Sequence, residues 1–528
     1  MIPHQLTWRA LSSRDLLPAI STKLEQVFGF DLRSLALMRI GLGGVLVADL
    51  AQRWCSLRAH YTDQGVLPRG LMESIPGSSV GLYGLVGGVG PVVALGTVAI
   101  VAAIAMTVGF HTRVASIVSW VLLVSLQNRN PFVYHSGDDL LRLVLFWGVF
   151  LPLGARWSVD ARRHPSLAAC ANQFVSVATV GLFLQLLYLF LFLFDHKLMG
   201  TAWRNGTAVY DAISVEQYRS AFGGVLLTFP AILPFLTYAV LIQQGITVAL
   251  MSAPILLGPL RVLAVLGVIT TQVGFGLCFN LGTFPWITTF AMLAVLPSSF
   301  WERIAPAPPK HPDRFEQNQE PLPEPPRFLN RVARFGKWAV AAVAVLSIAS
   351  ITLWNLSQAG AKFGAAGSEV AFEETLLGRF ALLMRLDQRW SMFSPNPQTE
   401  DGWFVIDGTL ADGARIDLFP ELVTGSVDSA SAERAVARGI RWEKPDLISS
   451  QFGNQRWLLY FLQLVAVPSD AQLRGFRDYV CRFWNEGKQP RKSLRRFTLN
   501  YMRFEHLPGR KTTPVEKIQL ASGICPPI

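Results

Sequence analysis

The sequence predicts a mainly α protein, a polytopic transmembrane helical bundle followed by a small α+β extramembrane domain at the C-terminus. Three observations lead there. The 528 residues are 51% hydrophobic and only 16% charged, too apolar for an ordinary soluble enzyme. About nine apolar runs of spanning character recur up to residue 356, against the ~20 residues that a bilayer crossing needs. After residue 356 the chain changes to alternating apolar and polar segments separated by turn residues.

Residues 1–30 mix polar and apolar side chains and show no cleavable signal. Within them Leu16, Leu17, Ile20, Leu24 and Val27 recur at helical spacing, as expected of an amphipathic helix lying along a membrane or packed on the bundle. The apolar runs centre on 34–52, 91–109, 114–127, 139–153, 174–194, 229–250, 261–279, 284–300 and 338–356. Backbone groups in lipid must pair within their own segment, so helices are expected for all of them. The runs at 114–127 and 139–153 are short, and each either extends into a loop or crosses the bundle interior. The bundle proper is assigned to 31–300, a linker rich in proline and charge to 301–337, a further span to 338–356 and the soluble domain to 357–528.

Within that domain, WFVIDGTLADGARIDLF alternates around Ala411, Asp412 and Gly413, predicting a hairpin with glycine at positive φ. Leu494 to Phe504 alternates again, while 455–466 and 470–485 have helical periodicity. The short loops place Arg9, Arg14, Lys23, Arg33, Arg113, Arg156, Arg162, Arg163, Arg261 and the Arg327 to Lys337 cluster on one side. Arg53, Arg58, Arg69, Arg129, Lys197, Arg204 and Arg219 fall on the other. This bias favours a cytoplasmic N-terminus, and nine spans then put the C-terminal domain outside the cytoplasm.

The net charge of +11 fits loop arginines facing anionic headgroups better than nucleic acid, which is not expected as a partner. Five cysteines without a CxxC pair suggest neither a zinc site nor a redox motif, and no metal is expected. Cys481 and Cys525, the two cysteines of the soluble domain, are expected to form a disulfide.

Charge inside the bundle is expensive, so Arg39, Asp49, Asp138, Asp139 and Arg142 are expected to pair with one another or to face a polar cavity. The segment from Gln127 to Asp139, dense in hydrogen-bonding groups, reads as the wall or mouth of a site or as an interfacial loop in which Asp138 or Asp139 caps the next helix. His135 within it could exchange protons near neutral pH. Lys197 lies at the end of the charge-free apolar run Phe174 to Phe194, which is long enough to cross a bilayer. A partly desolvated amine there could act as a base, whereas a snorkelling anchor would need only its stem and its charge. In 279–286, Gly282 and Pro285 explain a tight turn between spans, and Trp286 suits the interfacial belt.

The segments SLALMRIGLGGVLVADL, NRNPFVYHSGDDLLRLVLFWGVFLPLGARWSVDA, KLMGTAWRNGTAVYDAI, NLGTFPW and LDQRWSMFSPNPQTEDGWFVIDGTLADGARIDL occur in order. Together they resemble the vitamin K-dependent gamma-carboxylase and its bacterial relatives, the horizontally transferred transmembrane (HTTM) domain proteins. The resemblance covers about residues 30–300 and resumes after the linker. It implies a membrane-embedded lyase in a bacterial inner membrane. Its cofactor would be reduced vitamin K or another quinone, and Lys197 would be the base that deprotonates it. It further implies His135 as a proton relay or quinone-orienting donor, with Asn130, Tyr134, Asp138, Arg142, Trp203 and Gln272 as candidate cofactor-binding residues. Gln272 stands where the family pattern has a histidine, and the interval from Lys197 to Trp203 is one residue longer than in the animal enzyme. The partners implied are the bilayer and a protein substrate or partner at the C-terminal domain. The alternative is a non-enzymatic membrane protein whose C-terminal domain binds a partner outside the cytoplasm. A transporter is third, without a repeated half or a broken-helix pair to support it.

Overall fold

A computed structural model of the chain describes residues 23–527 apart from 73, 76–80, 165–171, 305–326, 363–367, 426–428 and 487–489. Most of the expected amphipathic segment therefore lies outside the described residues. Nine helices take up the nine apolar runs: α1 Leu32–Trp54, α2 Val89–Val108, α3 Thr112–Arg129, α4 Ser136–Phe150, α5 Val177–Leu198, α6 Leu233–Ser252, α7 Leu257–Cys278, α8 Phe284–Met292 and α9 Arg327–Lys362. Among the described residues six segments are long and apolar enough to cross a membrane: α1, α2, α5, α7, Pro230–Ser252 and the Trp338–Ala359 part of α9.

Four departures from the expected boundaries have local causes. The run at 284–300 is not one straight helix, because Phe284–Val295 and Ser298–Ile304 meet at 90° across Pro297, which cannot continue the backbone ladder. The run at 174–194 starts later, since Phe174 pairs in a short strand with Phe30 and Ser176 caps α5 by accepting from Thr179 N. α9 begins at Arg327, inside the segment expected as linker. α4 has 15 residues, about 22 Å at 1.5 Å each, short of the ~30 Å of a hydrocarbon core. It runs through the bundle interior, with every side chain from Leu140 to Trp147 buried. Gly181 on α5 allows this approach, since a Cβ there would stand 2.3 Å from the Trp147 ring.

The buried charges pair as their cost demands. Arg39 donates to the carbonyls of Leu153 (3.0 Å), Arg156 (3.4 Å) and Trp157 (2.6 Å), satisfying the irregular backbone that follows α4. Asp160 accepts from the amides of His111 (2.9 Å) and Thr112 (2.7 Å) at the start of α3. Arg33, Arg53, Arg129 and Arg261, counted as loop charges from sequence, are all buried. They report packing as much as topology.

The C-terminal domain carries strands β1 Glu400–Leu410, β2 Arg415–Asp417, β3 Leu494–Leu507 and β4 Glu516–Ile524, antiparallel in the order β2-β1-β3-β4. The β1–β2 hairpin turns at Gly413 with φ +88°, as its sequence predicts. Helices α10 Gln455–Ala466 and α11 Asp470–Asn485 pack on the sheet, and Phe404, Phe461, Phe476 and Tyr501 fill the layer between. Cys481 on α11 is bonded to Cys525 beyond β4, with the Cα atoms 5.3 Å apart. β4 was not legible in the sequence, because an edge strand exposed on most positions has little apolar alternation to show.

The domain seats on the end of the bundle where α1, α3, α5 and α7 finish. Lys444 pairs with Glu216 (2.7 Å), Gln217 donates to Gly402 O (2.8 Å), and Arg482 donates to Gln64 O (2.8 Å).

Candidate functional site

The joint between bundle and domain is held by four buried charges. Asp49 on α1 takes Arg53 Nε at 2.7 Å and Arg456 Nη2 at 2.6 Å. Asp138 on α4 takes Arg456 Nη1 at 2.6 Å and also Arg53 Nη2. Two guanidiniums and two carboxylates thus neutralise one another, with Arg456 bidentate on Asp138 and Arg53 bridging both carboxylates, the kind of arrangement in which buried ion pairs offset their desolvation. Arg456 comes from α10, so the soluble domain supplies one quarter of a cluster whose other members belong to the bundle.

The cluster sets the position of His135. Asp138 Oδ2 accepts from His135 N (3.1 Å), and His135 Nδ1 accepts from Gly137 N (2.9 Å), forming a reciprocal cap on α4. The expected capping role of Asp138 therefore holds in a modified form, with the histidine at the cap position and Asp138 three residues inside. Because Nδ1 is an acceptor, the proton of the neutral ring sits on Nε2. Among the described residues that nitrogen has no hydrogen-bond partner, and it lies 3.8 Å from Asp138 Oδ2.

His135 lines a cavity of about 220 Å³ between the bundle and the domain, walled by Tyr218, Phe284, Met392, Phe393 and Leu459. Gln455 also lines it, and its Oε1, buried against Gly282, has no hydrogen-bond partner among the described residues. The lining is mostly apolar, with His135, Ser136, Gln398 and Gln455 as its polar side chains beside the Tyr218 ring. This is the pattern of a small-molecule site in which apolar walls bind and a few polar groups orient.

Lys197 ends α5 and is only 2% exposed. Its Nζ lies 5.2 Å from the centroid of the Trp203 ring, and among the described residues no carboxylate is within ion-pair reach. An anchor would carry its charge to the surface. This amine is instead enclosed, and a strap from Leu386 to Asn396 closes over it. Phe393 O accepts from Trp203 Nε1 (2.9 Å) and Asn396 Oδ1 from Ala202 N (2.8 Å). Gly200 permits the closure, since a Cβ there would stand 1.7 Å from Pro395 O. Phe393, held at φ +55°, is the shared element, its carbonyl on Trp203 and its side chain in the cavity wall. Lys197 itself does not line the cavity; its amine faces Trp203, which donates to the Phe393 carbonyl.

The other residues singled out by sequence divide into three groups. Tyr134 and Arg142 form a second network. Arg142 donates to Tyr134 Oη (2.9 Å), Asp139 Oδ1 (2.8 Å) and the Asp387 carbonyl (2.6 Å), and Tyr134 Oη donates to Asp139. Asn130 is structural, donating to His60 O (3.0 Å) and accepting from Phe132 N (3.1 Å). Gln272 is buried on α7, its Oε1 without a hydrogen-bond partner among the described residues, and it does not line the His135 cavity. Sequence reading missed Arg456, Gln455 and the strap. For Arg456 a signal existed, because it shares the i, i+4, i+8 stripe of Tyr460 and Leu464, a charge on an apolar helix face.

His60 adds a pH dependence to the joint. It is fully buried beside Trp457, with ring centroids 4.3 Å apart. Burial first, then the neighbouring Arg456 and Arg53, hold its pKa down to about 3. The unfolded chain, titrating near ~6.5, binds this proton over a range where the folded chain does not. The contribution is therefore fully present above ~6.5 and is lost as pH falls toward 3. Thermal unfolding between pH 7 and 4 should show a loss of about 3 kcal/mol that His60→Leu lacks. Identical pH slopes in both proteins would refute the assignment.

Comparison of the chain with known protein families, with curated proteins and with solved structures found no match. The fold and site therefore speak by themselves, and they define a helical protein with a charge-latched C-terminal domain over an apolar cavity and an enclosed lysine.

Proposed function

We propose that the chain is an integral membrane enzyme of the gamma-carboxylase-like, HTTM class, acting on a quinone or a similar lipid-soluble substrate at the joint between bundle and domain. The observation that carries this reading is Lys197, a buried amine with no carboxylate in ion-pair reach among the described residues, facing the Trp203 ring that donates to the carbonyl of the cavity-lining Phe393. An ionisable group held at such a cost in a cleft region is a functional candidate. His135 and Gln455, among the polar side chains of the lining, would orient the oxygens of a bound ring by hydrogen bonding. Phe284, Phe393 and Leu459 exclude water from it. A reduced quinone, when bound, would supply with oxygen the strong base that carboxylation chemistry of this class requires. Lys197 Nζ holds the place of the proton acceptor, and the strap keeps bulk water from its amine.

Purified protein in detergent, given a reduced naphthoquinone and analysed by mass spectrometry, should retain it. Retention should fall about tenfold or more in His135→Phe, the loss expected when a buried acceptor on the ligand goes unpaired. Absence of binding by the wild type would instead favour the non-enzymatic reading, in which the domain serves a partner.

The same reading puts the N-terminus in the cytoplasm and the C-terminal domain outside it. The domain's position at the bundle end opposite the start of α1 supports this, as does a disulfide, which persists in oxidising compartments. A reporter active only in the cytoplasm, fused after Ile528, should be silent, and an active fusion would reverse the orientation.

A further inference from the structure

At the bundle end away from the C-terminal domain, the brevity of α4 has left a groove. The helix stops at Phe150, and the chain folds back through Leu151 to Ala155 instead of continuing outward. Irregular backbone at such depth is tolerated only where its polar groups are satisfied by protein. Arg39 does this for the Leu153 carbonyl and for those of Arg156 and Trp157 just beyond the turn. What remains between α3 and the turned chain is a groove of about 420 Å³, walled largely by apolar side chains such as Val149, Phe150, Leu151 and Phe174.

We propose that this groove holds one anionic phospholipid, with an acyl chain along Val149, Phe150 and Phe174 and its phosphate beside Arg113. The inference rests on the membrane reading given above. The face of α3 next to the groove is apolar and outward, with Val114 61% and Ile117 40% exposed, so the groove opens where acyl chains would lie. Its neutral polar groups are already occupied. Thr112 Oγ1 donates to Asp160 Oδ2 (2.6 Å) and Ser116 Oγ to Thr112 O (2.8 Å). Asp160, the one carboxylate in the lining, is turned to the start of α3 and accepts three hydrogen bonds there. Arg113 is exposed and has no carboxylate within ion-pair reach among the described residues. Arg162 and Arg163 follow Asp160 on the next turn and are exposed as well. Arg113, the cation in the lining of this apolar groove, selects a lipid with net negative charge over a zwitterionic one.

The full-length protein, delipidated in detergent, would be titrated with phosphatidylglycerol or phosphatidylcholine and the adducts counted by native mass spectrometry. One phosphatidylglycerol should bind in preference to phosphatidylcholine. Arg113→Gln should weaken it about fivefold, the effect of one cation near an anionic surface. Val149→Trp, which fills the groove, should abolish that adduct for both lipids. Equal binding of the two lipids, or adducts unchanged in both variants, would overturn the proposal. The membrane reading is checked separately: a chain that stays with the membrane pellet after alkaline extraction but shows no selective adduct sinks the lipid site alone, whereas release into the supernatant sinks both.

Discussion

Arg456→Met should destabilise the protein by about 3–5 kcal/mol, the cost of breaking a buried ion pair by removing one partner. The guanidinium is fully buried and serves Asp49, Asp138 and the Val133 carbonyl together. Its loss leaves Arg53 alone between two carboxylates that cannot reach water. Fluorescence-detected thermal unfolding in detergent measures the effect. The account makes a further demand: in an Asp49→Asn, Asp138→Asn background the same substitution should cost much less, because the stranded charges are gone. An equal loss in both backgrounds would mean that Arg456 acts by packing and not as a counter-charge. Since Asp138 holds His135 N, the single variant should also loosen the cavity wall and weaken ligand retention.

Lys197→Met should have the opposite sign, raising stability by about 1–3 kcal/mol. An enclosed ammonium without a carboxylate gives up hydration that the Trp203 ring only partly returns. Methionine has nearly the same reach and carries no such penalty. A residue that lowers stability where it stands is retained for something other than the fold, which is the usual trade-off at active sites. A drop in the unfolding temperature would show that Lys197 is a structural element of the α5 terminus instead.

The helical runs and the hairpin were legible because apolar periodicity and a glycine turn act within a few residues. α10 and α11 match the expected 455–466 and 470–485, since capping by Asn454 and Ser469 reinforces an amphipathic stripe there. Less legible was anything set by contacts distant in sequence. Asp49 and Asp138 could be expected to find partners, yet their shared partner is Arg456, more than three hundred residues beyond Asp138. The sequence also could not show that Lys197 would be enclosed by a strap from Leu386 to Asn396, because that closure depends on one glycine meeting one carbonyl. Bilayer length considerations flagged α4 as short but did not reveal the groove that its shortness leaves.

Oxidation of a reduced naphthoquinone by protein reconstituted in liposomes, wild type against Lys197→Arg, tests the central claim most directly. A structural cation tolerates the exchange, whereas a proton acceptor does not, because arginine essentially never gives up its proton. The account predicts that Lys197→Arg inserts and folds as the wild type does but loses turnover by about 10²-fold or more, the usual share of a general base. Wild-type turnover in the variant would contradict it and leave Lys197 without a catalytic role.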